Sequence, residues 1–196
     1  MRMRYTVANL MENYLHGEKI YMYEKVTPLY REVARRVGED NVIGSEYYGD
    51  SYKSGIFVKG IMHQDAMNLS FADETFDIIV SNDVFEHVSD YRRALSESSR
   101  VLKSGGKLLL SIPFDIRRDT TQTRAQIIDG KLVNIKKPIY HGNPVDNNGS
   151  LVFTDFGWDL LDIINNCGFS DEHMILYYDI DKGYIGTGTY YFELTK

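Results

Sequence analysis

A single cysteine, Cys167, in 196 residues excludes an internal disulfide and fits a reducing compartment. No long apolar run occurs, and the first residues alternate Met with Arg without an apolar signal core. A membrane span and secretion are therefore not expected, and the cytoplasm is the expected location. Basic charge is in deficit: 22 Lys and Arg against 28 Asp and Glu leave a net charge of −6. A nucleic-acid backbone, which needs a basic face, is not an expected partner. No glycine lies between Gly17 and Gly38, and no Gly-x-Gly-x-x-Gly turn occurs, which disfavours a nicotinamide oxidoreductase. No nucleophile elbow is present. The five histidines are scattered with no His-x-x-x-His pair, so no metal is expected.

What is present is enough apolar sequence, 43% of residues, for one domain over 1–196 with a buried core. An N-terminal helix is expected within 1–18, with Val7, Leu10, Met11, Tyr14 and Leu15 on one face. A short β-prone run covers 19–23. Thr27-Pro28 then supplies an N-cap and a first helical residue, with Leu29, Tyr30, Val33, Ala34 and Val37 inward and Gly38 as the stop. Runs 41–47, 60–65, 76–81 and 107–112 read as strands, the last two joined by a helix that turns at Gly105-Gly106. Such alternation implies right-handed crossovers and a parallel sheet.

After Pro113 the texture changes. Residues 114–153 read as an insertion containing a β-hairpin with an Asp129-Gly130 turn and a loop over 140–149. Thr154 is expected to cap a helix with Phe156, Leu160, Leu161, Ile163, Ile164 and Cys167 inward, Trp158 in its core and Gly168 at its end. Two final strands, 174–178 and 189–194, flank a Gly-rich turn over 183–188. Most of the 15 tyrosines fall at core or hairpin positions and read as packing.

The most informative stretch is Asn68-Leu-Ser-Phe-Ala-Asp-Glu-Thr-Phe-Asp-Ile-Ile-Val-Ser-Asn-Asp-Val-Phe-Glu-His-Val88, followed by Arg100-Val-Leu-Lys-Ser-Gly-Gly-Lys-Leu-Leu-Leu-Ser-Ile-Pro113. It is a buried strand ending in the polar cluster Asn82, Asp83, Glu86 and His87, where an open α/β sheet puts its ligand. The wording resembles the second half of class I S-adenosylmethionine (SAM) methyltransferases of the type 11 group, over roughly 41–113. The resemblance implies a Rossmann-like three-layer αβα sandwich, with a mostly parallel seven-stranded sheet, an antiparallel last strand and an inserted hairpin. It also implies SAM as cofactor.

Glu46 ends the second strand about 20 residues after the first turn, the place of a ribose-binding acid. Tyr47 follows it. Glu24 ends the first strand and stands where the family places an acidic residue. The Gly-x-Gly loop the family carries there is replaced by Tyr21-Met-Tyr-Glu-Lys-Val-Thr-Pro28. The Thr27 helix start offers free N–H groups to the methionine carboxylate instead. By the resemblance, Asp65 sits beside the adenine amino group with Ala66 or Met67 against the ring, and Asn82 and Asp83 lie near the transferred methyl. His87 matches the family's Glu-His pair and is a candidate base, and His141 is a second; a loop-orienting role for His87 stays open.

Arg124, Tyr140 and His141 fall in the insertion, where such enzymes build acceptor specificity. The basic residues Arg117, Arg118, Arg124, Lys131, Lys136 and Lys137 gather in the same segment. The expected function is methyl transfer from SAM to an O or N atom of a small acceptor, anionic or sugar-like. The alternative is a non-catalytic methyltransferase-like binding module that has lost the glycine loop. The oligomeric state stays open.

Overall fold

A computed structural model describes residues 2–143, 145, 148–185 and 190–196. Pro144, Asp146 and Asn147 of the expected 140–149 loop, and 186–189 of the expected Gly-rich turn, lie outside the described residues. In chain order the elements are α1 (Arg2–Asn13), β1 (Ile20–Met22), α2 (Pro28–Val37), β2 (Val42–Glu46), β3 (Phe57–Val58), β4 (Ile61–His63) and β5 (Phe76–Asn82). A short 3-10 turn (Phe85–His87) leads to α3 (Tyr91–Val101) and β6 (Leu102–Ser111). Then come β7 (Gln122–Thr123), β8 (Ala125–Ile128), β9 (Lys131–Asn134), β10 (Tyr140–His141), β11 (Ser150–Leu151) and β12 (Thr154–Asp155). The chain closes with α4 (Leu160–Asn165), β13 (Asp171–Leu176) and β14 (Tyr190–Thr195).

Eight strands form the central sheet in the order β13-β14-β6-β5-β1-β2-β4-β3. The pairs β1–β2, β1–β5, β2–β4 and β5–β6 are parallel, while β14 runs antiparallel between β6 and β13. The seven expected strands are present with the expected antiparallel closure; the two-residue β3 adds an eighth at the edge. Successive side chains of the central strands feed opposite faces. Tyr21, Ile79, Leu108 and Leu110 join the core under α3 and α4, whereas Ile20, Met22, Ile78, Val80 and Leu109 join the core under α1 and α2. Burial on both faces is why these strands are almost continuously apolar.

Local chemistry sets the element ends. Thr27 caps α2 through Oγ1, which accepts the Tyr30 amide at 3.2 Å, and Asp90 caps α3 through the Arg93 amide. Asp129 and Gly130 both have positive φ, 49° and 73°, the mirror-image turn that suits the twist of β8 and β9. The insertion and the two residues after it form three short antiparallel pairs, β12–β7, β8–β9 and β10–β11.

Several expectations differ in detail. The first helix ends at Asn13 rather than reaching 18, and Leu15 is exposed. Thr154 does not cap a helix: it is buried in β12 opposite Thr123, and α4 begins only at Leu160. Asp159 precedes that helix without capping it; its Oδ1 instead accepts the amide and hydroxyl of Thr121, both at 2.6 Å. Trp158 is no helix core residue. It is 39% exposed, packs edge-on against Phe114 and donates Nε1–H to the Ile116 carbonyl at 2.9 Å.

Candidate active site

The carboxyl ends of β1, β2, β4 and β5 open into a cavity of about 520 Å³, within the range of small-molecule sites. All seven residues expected at the cofactor line it: Glu24, Thr27, Glu46, Tyr47, Asp65, Ala66 and Asn82. Asp83 and His87 line it too. The insertion supplies its other wall through Ile127, Gly142, Asn143, Val145, Ser150 and Phe153, so the segment covers the sheet edge.

The turn after β1 is organised without glycine by Glu46. Its Oε1 accepts the backbone N–H groups of Lys25 and Val26, each at 2.8 Å, while Oε2 has no hydrogen bond among the described residues. Burial pushes the Glu46 carboxyl above its ordinary range, and the two amides pull the other way. Glu24 is held by the Asn82 amide, which donates to Oε1 at 3.1 Å. Burial raises the Glu24 carboxyl to about 7, Asp83 and Glu46 add to that, and the Asn82 amide and Arg2 oppose it. Asp65 Oδ1 accepts the Met67 amide at 2.8 Å, which bends the chain so that Ala66 and Met67 face the cavity.

Asp83 takes up positive φ, 53°, directly after β5 and forms an ion pair with Arg2 of α1. Burial raises its carboxyl, opposed by Arg2 and His141. Glu86 is fully buried, and burial with the neighbouring Asp83 lifts its carboxyl to about 8. His87 Nδ1 lies 2.8 Å from the Leu151 carbonyl, which can only accept, so Nδ1 carries the proton and Nε2 the lone pair. Burial lowers the His87 pKa, the Leu151 carbonyl opposes that, and His141 adds to it.

The 3-10 turn docks on the insertion: Phe153 donates its amide to the Glu86 carbonyl at 2.7 Å. Pairing of His141 with Ser150 across β10–β11 then brings the His141 ring to 4.9 Å from that of His87. Gly149 permits this approach; a Cβ there would stand 2.7 Å from the His141 carbonyl oxygen.

His141 also lines a second cavity of about 670 Å³, together with Arg2, Asp115, Arg117, Arg118, Asp155 and Tyr190. Arg124 and Tyr140 line neither cavity. Arg124 is held by Asp155, at 2.8 Å, and by the Lys137 carbonyl, at 2.7 Å, and Tyr140 is exposed. Sequence reasoning missed Arg2 as a site residue, because only the tertiary fold lays α1 beside the end of β5.

Residues 24–110 match the sequence profile described as "Methyltransferase domain". That match covers just under half of the chain, and over this stretch the chain is similar to methyltransferases. Demethylmenaquinone methyltransferase of Alkalihalophilus pseudofirmus is 43% identical over 49 residues, 25% of this chain and 21% of the relative. The enzyme of that name from Thermobifida fusca is 38% identical over 68 residues, 35% of this chain and 28% of the relative. The matched stretches thus span only 21% and 28% of these relatives' length. Among solved structures, an S-adenosylmethionine-dependent methyltransferase of Mesorhizobium loti superposes with a TM-score of 0.62 at 14% identity, covering 99% of this chain and 98% of that one. That likeness is one of fold. Among the described residues, no helix is long and apolar enough to cross a membrane.

Proposed function

We propose that this protein transfers the methyl group of SAM to an oxygen or nitrogen of a small acceptor bound in the cavity beside His141. The observation that carries the reading is the ordered row of Glu24, Glu46 and Asp65 at the ends of three successive strands around one cavity. Glu46 has a free oxygen for the ribose hydroxyls. Glu24 suits the cationic end of the methionine part, since an ammonium beside a buried carboxyl favours its ionised form. Asp65 and Ala66 frame the adenine.

Methyl transfer from a sulfonium is an in-line displacement, so positioning supplies most of the catalysis. A general base is optional in such a displacement, and His87 and His141 stand at the edges of the two cavities. Arg2, Arg117 and Arg118 around the second cavity favour an acceptor with a carboxylate, phosphate or sugar-phosphate.

The experiment is transfer of labelled methyl from SAM to a panel of hydroxylated and aminated carboxylates and sugar phosphates. Label in an acceptor supports the reading. SAM binding without transfer to any member would favour a binding module, which the missing glycine loop already makes the second reading.

A further inference from the structure

Glu86 is unexplained by the cofactor cavity. It is fully buried, and neither carboxylate oxygen has a hydrogen-bond partner among the described residues. A buried carboxyl with no hydrogen bond to either oxygen is disfavoured in both protonation states, and a bound cation would pair its ionised form. What faces it is a pair of imidazoles: His87 Nε2 is 3.6 Å and His141 Nδ1 3.7 Å from Glu86 Oε1. One ligand atom from each of the three residues lies within 4.8 Å of the others.

We propose that Glu86, His87 and His141 form a binding site for one divalent transition-metal ion, at the junction of the two cavities. Geometry, tautomer and ligand type all support it. Two ligand atoms bound to zinc at about 2.1 Å and a tetrahedral angle stand about 3.4 Å apart, so the observed separations need only small side-chain rotations. Leu151 fixes the His87 proton on Nδ1 and leaves Nε2 toward Glu86, as a backbone carbonyl does for ligating histidines. Two imidazoles and one carboxylate select zinc or iron(II) over magnesium and calcium, which prefer oxygen.

Three protein ligands leave coordination positions open, and His141 lines the acceptor cavity while His87 lines the cofactor cavity. An acceptor oxygen is the natural occupant of an open position. That consequence rests on the methyl-transfer reading; the ion site itself does not. The sequence hides it because Glu86 and His87 are adjacent and His141 comes from a distant hairpin.

The test uses untagged, chelator-stripped protein, titrated with zinc against a chromophoric chelator and with cobalt(II) followed by visible absorption. One equivalent of zinc should bind with micromolar or tighter affinity, and cobalt(II) should give the absorption of a low-coordinate site. His141→Ala and His87→Ala should each weaken zinc at least about 100-fold, whereas His173→Ala, at an exposed pair with Asp171, should change nothing. Should His87→Ala fail to fold, His141→Ala still decides, because its half-exposed ring can be removed without emptying the core. Absence of stoichiometric zinc, or unchanged affinity in His141→Ala, overturns the site. SAM titration of the same stripped protein separates this failure from failure of the methyl-transfer reading.

Discussion

Glu24 and Asn82 tie the ends of two neighbouring parallel strands together: the Asn82 amide donates to Glu24 Oε1 at 3.1 Å. The bond holds the floor of the cavity at the strand ends, and it places a carboxyl in a buried setting that raises it to about 7. In the unfolded chain the same group titrates near about 4.3. Between these values the folded state binds more protons than the unfolded one. The stabilising contribution is therefore present at low pH and is lost as pH rises through about 7.

Stability should accordingly fall between about pH 4 and about pH 7, and Glu24→Gln should flatten that fall. The flattening is partial, since Glu46, Asp83 and Glu86 are raised as well. Thermal unfolding of both proteins across the range is the check; parallel curves would show that Glu24 ionises normally.

Glu46 does two jobs that two substitutions separate. Glu46→Ala removes the acceptor for the Lys25 and Val26 amides and the partner for ribose, so both stability and SAM affinity should drop. Glu46→Gln keeps an acceptor oxygen for the turn but loses the charge. Charge-assisted bonds are worth about 1.5–3 kcal/mol each, so SAM should bind at least about tenfold more weakly with unfolding nearly unchanged. Calorimetry beside thermal melts reads both; unchanged affinity in either variant removes Glu46 from the cofactor site.

Thr27 caps α2 and lines the cavity. Thr27→Ala should cost about 1 kcal/mol of stability and loosen SAM beyond that loss, because the capped turn presents the free amides. A variant that is less stable but binds SAM normally would place the methionine carboxylate elsewhere.

Two arginines of the insertion, Arg124 and Arg118, should behave differently. Arg124 is nearly buried against Asp155 and Lys137, so Arg124→Ala should destabilise the protein by about 1–3 kcal/mol. Arg118 lines the second cavity, so Arg118→Ala should raise the KM for an anionic acceptor while SAM affinity stays within about twofold. Steady-state kinetics with a methyl acceptor and denaturant unfolding distinguish the two patterns.

The sheet was legible where sequence and structure share a period. Residues 78–80 and 108–110 are apolar runs buried on both faces, and the Asp129-Gly130 turn needs only its own two residues. Strand ends located the acids, since Glu24, Glu46 and Asp65 follow from counting along the chain. Thr154 was misread because its pairing with Thr123 across β12 and β7 is long-range, and a local cap signal cannot reveal it. The meeting of Glu86, His87 and His141 was hidden for the same reason. It depends on Phe153 bonding to the Glu86 carbonyl and on β10 pairing with β11. Arg124 looked like an acceptor ligand from its charge; its carboxylate partner, Asp155, lies across the insertion.

The central claim, a SAM site built without a glycine loop, is tested most directly by calorimetric titration with SAM, S-adenosylhomocysteine and NAD. Micromolar binding of the first two, weakened in Glu46→Gln, with none of NAD, is the predicted result. Binding of NAD in their place, or of none of the three, would contradict it.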